Sequence, residues 1–262
     1  MQLYTNCRFH EHCRFLNISE HNMKDIKLPI KIIVLFLGVC LAALIISPSL
    51  YSPEVNDTVS LTTEVLANTS IGNVTKEGPY GNTSSQVKVA YIVGMHPREY
   101  VCHQEAVNAI RNLDTSLKYS YYIYYIHVAD GVDAAYGTGR MNGQLLGEKY
   151  VVPDIMANNY QLTMDIHSNK GRYESYAVGW FLYVPTKDEY TGNIAKQLQE
   201  KIPGIRIYIP PYASSPKYVT IPLLSNGIPS MVYEAYEYDS SEIGQDKAEK
   251  LLKAIDSIEL LR

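Results

Sequence analysis

His96 and Glu99 stand three residues apart in Gly94-Met95-His96-Pro97-Arg98-Glu99, directly after the apolar run 87–93. Such a run reads as a buried strand, so both side chains leave a strand end and can turn toward one point. Neutral imidazole plus carboxylate is a common zinc pair. A third ligand is offered by His167 in Asp165-Ile166-His167-Ser168, again at the end of a short apolar strand. Two His and one Glu leave a fourth position for water, which a catalytic metal requires. Asp165, two residues earlier, shares the strand face of His167 and can hold its second ring nitrogen. His103, one helical turn beyond Glu99, is a competing ligand, but choosing it leaves His167 unexplained.

A metal hydrolase also needs a carboxylate that takes a proton from water and hands it to the leaving group. Glu234 ends the apolar segment Ser230-Met231-Val232-Tyr233-Glu234, where an unpaired charge is costly. Glu237 is the alternative base. Arg140 and Asn142 lie in Gly139-Arg140-Met141-Asn142-Gly143. A guanidinium fork suits an oxyanion or a substrate carboxylate, and an amide suits a carbonyl. Arg98 and Arg172 are alternatives to Arg140. Cys102 reads as a small core residue, and no Ser/His/Asp arrangement is visible.

The elements that must position these groups alternate. Strands are expected at 87–93, 121–128, 162–166, 175–184, 206–209 and 230–235, and helices at 100–117, 189–201, 219–226 and 242–261. The last helix carries Ala248, Leu251, Leu252, Ile255 and Ile258 as one apolar stripe. The glycine-rich segment 130–147 reads as a loop. This alternation indicates an α/β sandwich with a mixed sheet, in which ligands bind outside the carboxyl ends of strands.

Taken in order, the residues resemble the zinc carboxypeptidases and the related succinylglutamate desuccinylase/aspartoacylase enzymes. The shared pattern is His-x-x-Glu, an Arg/Asn loop, a lone His and a late strand Glu, over about residues 87–236. The resemblance implies a three-layer α/β sandwich with a mixed, mostly parallel sheet. It implies one zinc per chain held by His96, Glu99 and His167, with Arg140 as electrophilic helper, Asn142 as substrate binder and Glu234 as general base. Its substrates are peptides or acyl-amino acids, and a substrate-gripping tyrosine has Tyr212 and Tyr218 as candidates. One departure concerns Gly143, which stands where these enzymes carry an arginine that grips a carboxylate.

Whole-chain composition adds an address. The net charge of −4 over 262 residues gives no nucleic-acid surface. Residues 32–52 carry no charge, follow Lys24, Lys27 and Lys31, and precede no Lys or Arg until Lys76. That pattern predicts a single transmembrane anchor with a cytoplasmic tail at 1–31 and the remainder outside the cell. Residues 53–84, rich in Ser, Thr, Asn and Gly, read as a disordered stalk. Asn-x-Ser/Thr triplets at Asn56, Asn68, Asn73 and Asn82 suggest glycosylation there. A catalytic domain is then expected at 85–262. In the tail, Cys7, His10, His12 and Cys13 match no standard zinc-knuckle spacing.

Three functions fit: a membrane-anchored amide hydrolase acting on surface or cell-wall peptides, a small-molecule deacylase, or a non-catalytic surface binding module. The 23 tyrosines, against 4 phenylalanines, suit an exposed protein or a polar, sugar-rich or peptide-rich substrate.

Overall fold

The computed structural model describes residues 60–261. The expected tail, the anchor at 32–52 and the first part of the expected stalk lie outside the described residues. Among the described residues, no helix is long and apolar enough to cross a membrane.

Eight strands form one mixed sheet: β1 (Thr62–Thr69), β2 (Gly72–Gly81), β3 (Lys88–Val93), β4 (Ser120–Val128), β5 (Leu162–Asn169), β6 (Phe181–Tyr183), β7 (Arg206–Ile207) and β8 (Ser230–Tyr236). Their order is β1-β2-β4-β3-β5-β8-β6-β7. The centre, β4-β3-β5-β8, is parallel. The β1-β2, β2-β4 and β6-β8 pairs are antiparallel. The helices are α1 (Tyr100–Leu113), α2 (Tyr136–Leu146), α3 (Val152–Ala157), α4 (Glu189–Lys201), α5 (Thr220–Ser225) and α6 (Ser241–Ser257).

Both sheet faces are covered, which explains why the central strands read as apolar runs. On one face Tyr91, Ile123, Met164 and Tyr233 pack against Ala106 and Ile110 of α1, Leu198 of α4 and Leu252 of α6. On the other, Ile92, Tyr124 and Ile126 meet Leu146 of α2, Ile155 of α3 and Leu223 of α5. The architecture is therefore three-layered. Two helices begin at side-chain caps: Asp188 accepts from the Thr191 N–H (2.7 Å) before α4, and Ser240 accepts from the Ile243 N–H (3.4 Å) before α6.

Three expectations are corrected. The stalk assigned to 53–84 gives way, from Thr62 onward, to β1 and β2, which complete one edge of the sheet. β1 is an outer strand exposed along most of its length, so it carries no apolar alternation, and its polar residues imitate a linker. β2 does bury Val74 and Tyr80. The loop assigned to 130–147 contains α2. Its glycines lower helix propensity, yet Gly143 is required by a close approach. A Cβ there would lie 1.9 Å from the Met95 carbonyl oxygen. The strands expected at 175–184 and 206–209 shorten to β6 and β7.

Candidate metal centre and active site

β3 ends at Val93, and Gly94 turns the chain with φ +88°, where a Cβ would fall 2.2 Å from the Ile126 carbonyl oxygen. His96 then precedes a single 3-10 turn, Pro97–Glu99, closed by the Glu99 N–H donating to the His96 carbonyl (3.0 Å). Glu99 is also the residue before α1. One tight turn thus brings His96 and Glu99 together on the carboxyl side of the sheet. His167 comes up β5 beside them. The parallel register pairs His167 with Glu234 of β8, so adjacent strands present both side chains on the same face.

His96, Glu99 and His167 are buried, and one donor atom from each lies within 4.8 Å of the others. His96 Nδ1 is 2.9 Å from Glu99 Oε1, and His167 Nδ1 is 2.9 Å from Glu99 Oε2. The Ser168 N–H donates to Oε2 (3.2 Å), and Arg140 donates to Oε1 (2.8 Å). The outer ring nitrogens each face a polar neighbour. His167 Nε2 lies 2.9 Å from Asp165 Oδ1, close in distance but out of line for a hydrogen bond. Thr220 donates to the other oxygen of Asp165 (3.4 Å). His96 Nε2 sits 3.1 Å from the Gln144 amide, which also reaches Ser214 Oγ at 2.8 Å. With the amide oxygen turned to His96, Nε2 becomes the donor and Nδ1 is left to bind a metal.

The electrostatics fit a cation. Burial by itself raises the Glu99 carboxyl pKa, but the two facing imidazoles outweigh it and hold it well below the usual range. Burial opposes charge on His167, and the carboxylates of Asp165 and Glu99 outweigh it, raising its pKa well above the ordinary imidazole value. For His96, burial prevails over Glu99 and the pKa falls. A dry carboxylate that draws positive charge, flanked by two Nδ1 atoms, is a donor set suited to a divalent metal.

Glu234 is partly buried beside this group. Burial chiefly, with some repulsion from Glu99, pushes its carboxyl pKa up to about 8, against the pull of His167 and a hydrogen bond from Asn169 (3.2 Å). A carboxyl poised near neutrality at a cleft has the property expected of a general base. Arg140 projects from α2, its guanidinium 5.4 Å from the centre of the Tyr136 ring, which Arg98 approaches at 5.7 Å. Arg98 is held by the Val132 and Ala134 carbonyls, and Arg172 lines a different cleft.

The cleft above the centre measures 560 Å³ and is walled by Glu99, Tyr136, Arg140, Tyr176, Tyr212 and Glu234, among others. A neighbouring hollow of 110 Å³ adds His96, Lys170 and Glu237. The structure therefore brings together His96, Glu99, His167, Arg140, Glu234 and Tyr212. It does not place Asn142 or Tyr218 on either lining. Asn142 is half-buried on α2, and the Tyr218 hydroxyl points to Met141 Sδ at 3.6 Å. His103 stands apart, its Nε2 donating to the Ile166 carbonyl (3.1 Å), with burial lowering its pKa to about 4.

Three contributors escaped the sequence reading. Asn169 shares the face of His167 two residues on, so strand alternation was a sufficient signal. Gln144 and Tyr176 had none, because a helix hidden by glycines and a tyrosine in a tyrosine-rich chain look ordinary.

No family model matches the sequence, and neither does any curated protein. Solved structures do resemble the fold. A metallo-carboxypeptidase from Burkholderia cenocepacia is 14% identical over 75% of this chain and 64% of that one, with a TM-score of 0.49. A metallo-carboxypeptidase from Pseudomonas aeruginosa, in complex with (2-guanidinoethylmercapto)succinic acid, is 12% identical over 74% and 64%, at 0.47. A succinylglutamate desuccinylase/aspartoacylase from Rhodobacter sphaeroides is 14% identical over 70% and 57%, at 0.43. The chain thus spans a little under two thirds of the first two. These are resemblances of fold alone.

Proposed function

We propose that this chain is a zinc-dependent amide hydrolase acting on peptides. The observation that carries it is the buried His96–Glu99–His167 group with Glu234 in register beside His167. Zinc, when bound by these three residues, supplies Lewis acidity for the scissile carbonyl and for water. Glu234 takes the proton from water and returns it to the departing amine nitrogen. Arg140, at the cleft mouth, donates to the carbonyl oxygen as negative charge develops there. Tyr176 and Tyr212 form the wall against which the substrate lies, joined by the Tyr176 hydroxyl donating to the Tyr212 carbonyl (2.7 Å). The crowding of Gly143 against Met95 makes any side chain at that position costly. A carboxylate clamp cannot come from there, which favours substrates that do not rely on it.

The uncharged run 32–52 behind three lysines supports an anchored chain whose cleft faces outside the cell, where surface or cell-wall peptides are at hand. Protease protection in membrane vesicles tests that orientation. Metal analysis of the full chain should give about one zinc, lost in His96→Ala/His167→Ala. Glu234→Gln should keep the zinc and lower peptide turnover by about 10²–10⁴-fold. Unchanged turnover would remove Glu234 from the base role. A folded chain that takes up no zinc would leave the binding-module reading.

A further inference from the structure

A second cleft opens beside the metal centre, on the far side of Tyr176. It measures 530 Å³, and four of its walls are aromatic: Tyr173, Tyr176, Trp180 and Tyr236. Tyr176 lines both clefts, so a substrate lying along one reaches the other. Tyr236 is held in place. Tyr236 lies against Gly171 and Gly179, where a Cβ would come within 3.1 Å of its ring. Tyr238 packs edge-on to Tyr236 at 5.5 Å and to Tyr173 at 6.1 Å. Tyr173 is nevertheless 82% exposed. An aromatic ring touched at one edge and otherwise open to water offers its faces for stacking. At the other side of the cleft, Asp239 and Lys247 form an ion pair of 2.5 Å, and Arg172 completes the rim.

We propose that this cleft is a subsite for a neutral sugar ring carried by the substrate. A pyranose has apolar C–H faces that stack on aromatic rings and a girdle of hydroxyls that both donate and accept. Tyr173 and Tyr236 meet the first need, Asp239 and Arg172 the second. A buried aromatic side chain would call for a closed, uncharged pocket, and a simple anion would engage Arg172 but leave the exposed rings without a role. The place of the subsite within a substrate rests on the hydrolase reading, whereas its affinity for a saccharide does not.

Trp180 is the only tryptophan in the chain and lines this cleft, so no other tryptophan contributes to the signal. The full chain is titrated with maltotriose, with triacetylchitotriose and with N-acetylphenylalaninamide. The expected result is a saturable emission change with at least one saccharide, weakened about fivefold or more by Tyr173→Ala and retained in Tyr173→Phe. His96→Ala/His167→Ala should bind the saccharide as the unaltered chain does, so loss of metal and turnover in that variant leaves this result readable. No response to either saccharide, a response indifferent to Tyr173→Ala, or a Tyr173-dependent response to the amide alone would each overturn the subsite. A saccharide response abolished with the metal ligands would place the sugar at the metal centre, overturning it as well.

Discussion

Glu234 and Glu105 are both carboxyl groups raised by burial, and what they face separates their roles. Glu234 faces the cleft and the metal-ligand group. Glu105 lies between α1 and α6, so close to Gly244 that a Cβ there would fall 2.1 Å from Glu105 Oε1. Burial, with repulsion from Asp239 and a weaker opposing pull from Lys247, lifts its pKa from 4.5 to about 7. Through that window the folded chain holds a proton that the unfolded chain has released. Stability therefore falls as pH rises through it, and the loss is complete above the folded pKa. Glu105→Gln removes the proton and keeps the shape. Relative to the unaltered chain, it should melt at a similar temperature near pH 4.5 and gain about 2 kcal/mol at about pH 8.5. Thermal unfolding at both pH values checks this, and equal curves at the higher pH would show the carboxylate is already solvated.

At the scale of elements, α2 matters because it carries Arg140 and Gln144 while resting Gly143 on the backbone just before His96. Gly143→Ala places a methyl group 1.9 Å from the Met95 carbonyl oxygen. Backbone cannot yield as a flexible side chain does, so about 2–3 kcal/mol of stability should be lost. Metal uptake should fall with it, since His96 is the next residue after Met95. Denaturant unfolding alongside metal analysis measures both, and full retention of both would mean α2 slides freely. The same contact explains what could be read beforehand. His96, Glu99, His167 and Glu234 were visible because each follows an apolar run whose end marks the rim of a sheet. Central strands were visible because both their faces are buried. α2 was hidden because the glycines that permit its packing are the residues that argue against a helix. β1 and β2 were hidden because an edge strand with one wet face needs few apolar residues.

On the scale of the whole molecule, the hairpin of β1 and β2 is part of the sheet, not a tether to it. A chain starting at Ser85 would leave the long strand β4 as a bare edge and uncover Tyr121 and Ile123, which are fully buried in the complete sheet. It should aggregate, while one starting at Ser60 should elute as a single soluble species on gel filtration. Comparable solubility of the two would show that the hairpin is dispensable.

β1 is antiparallel to β2, and β2 to β4, so β1 runs in the same direction as the central strands. Its first residue, Thr62, therefore sits at the amino end of the sheet. At that end Leu260 and Leu261 share a hollow with Gln86, Gln161 and Pro229, which precede β3, β5 and β8. Both ends of the described chain thus leave from the pole opposite the metal centre. Gripping a chain that begins at Ser60 by either end on a bead or a lattice points the cleft outward, toward whatever drifts past. Turnover per molecule should be the same with either end captured, and a fall confined to one end would mean that end folds back across the cleft.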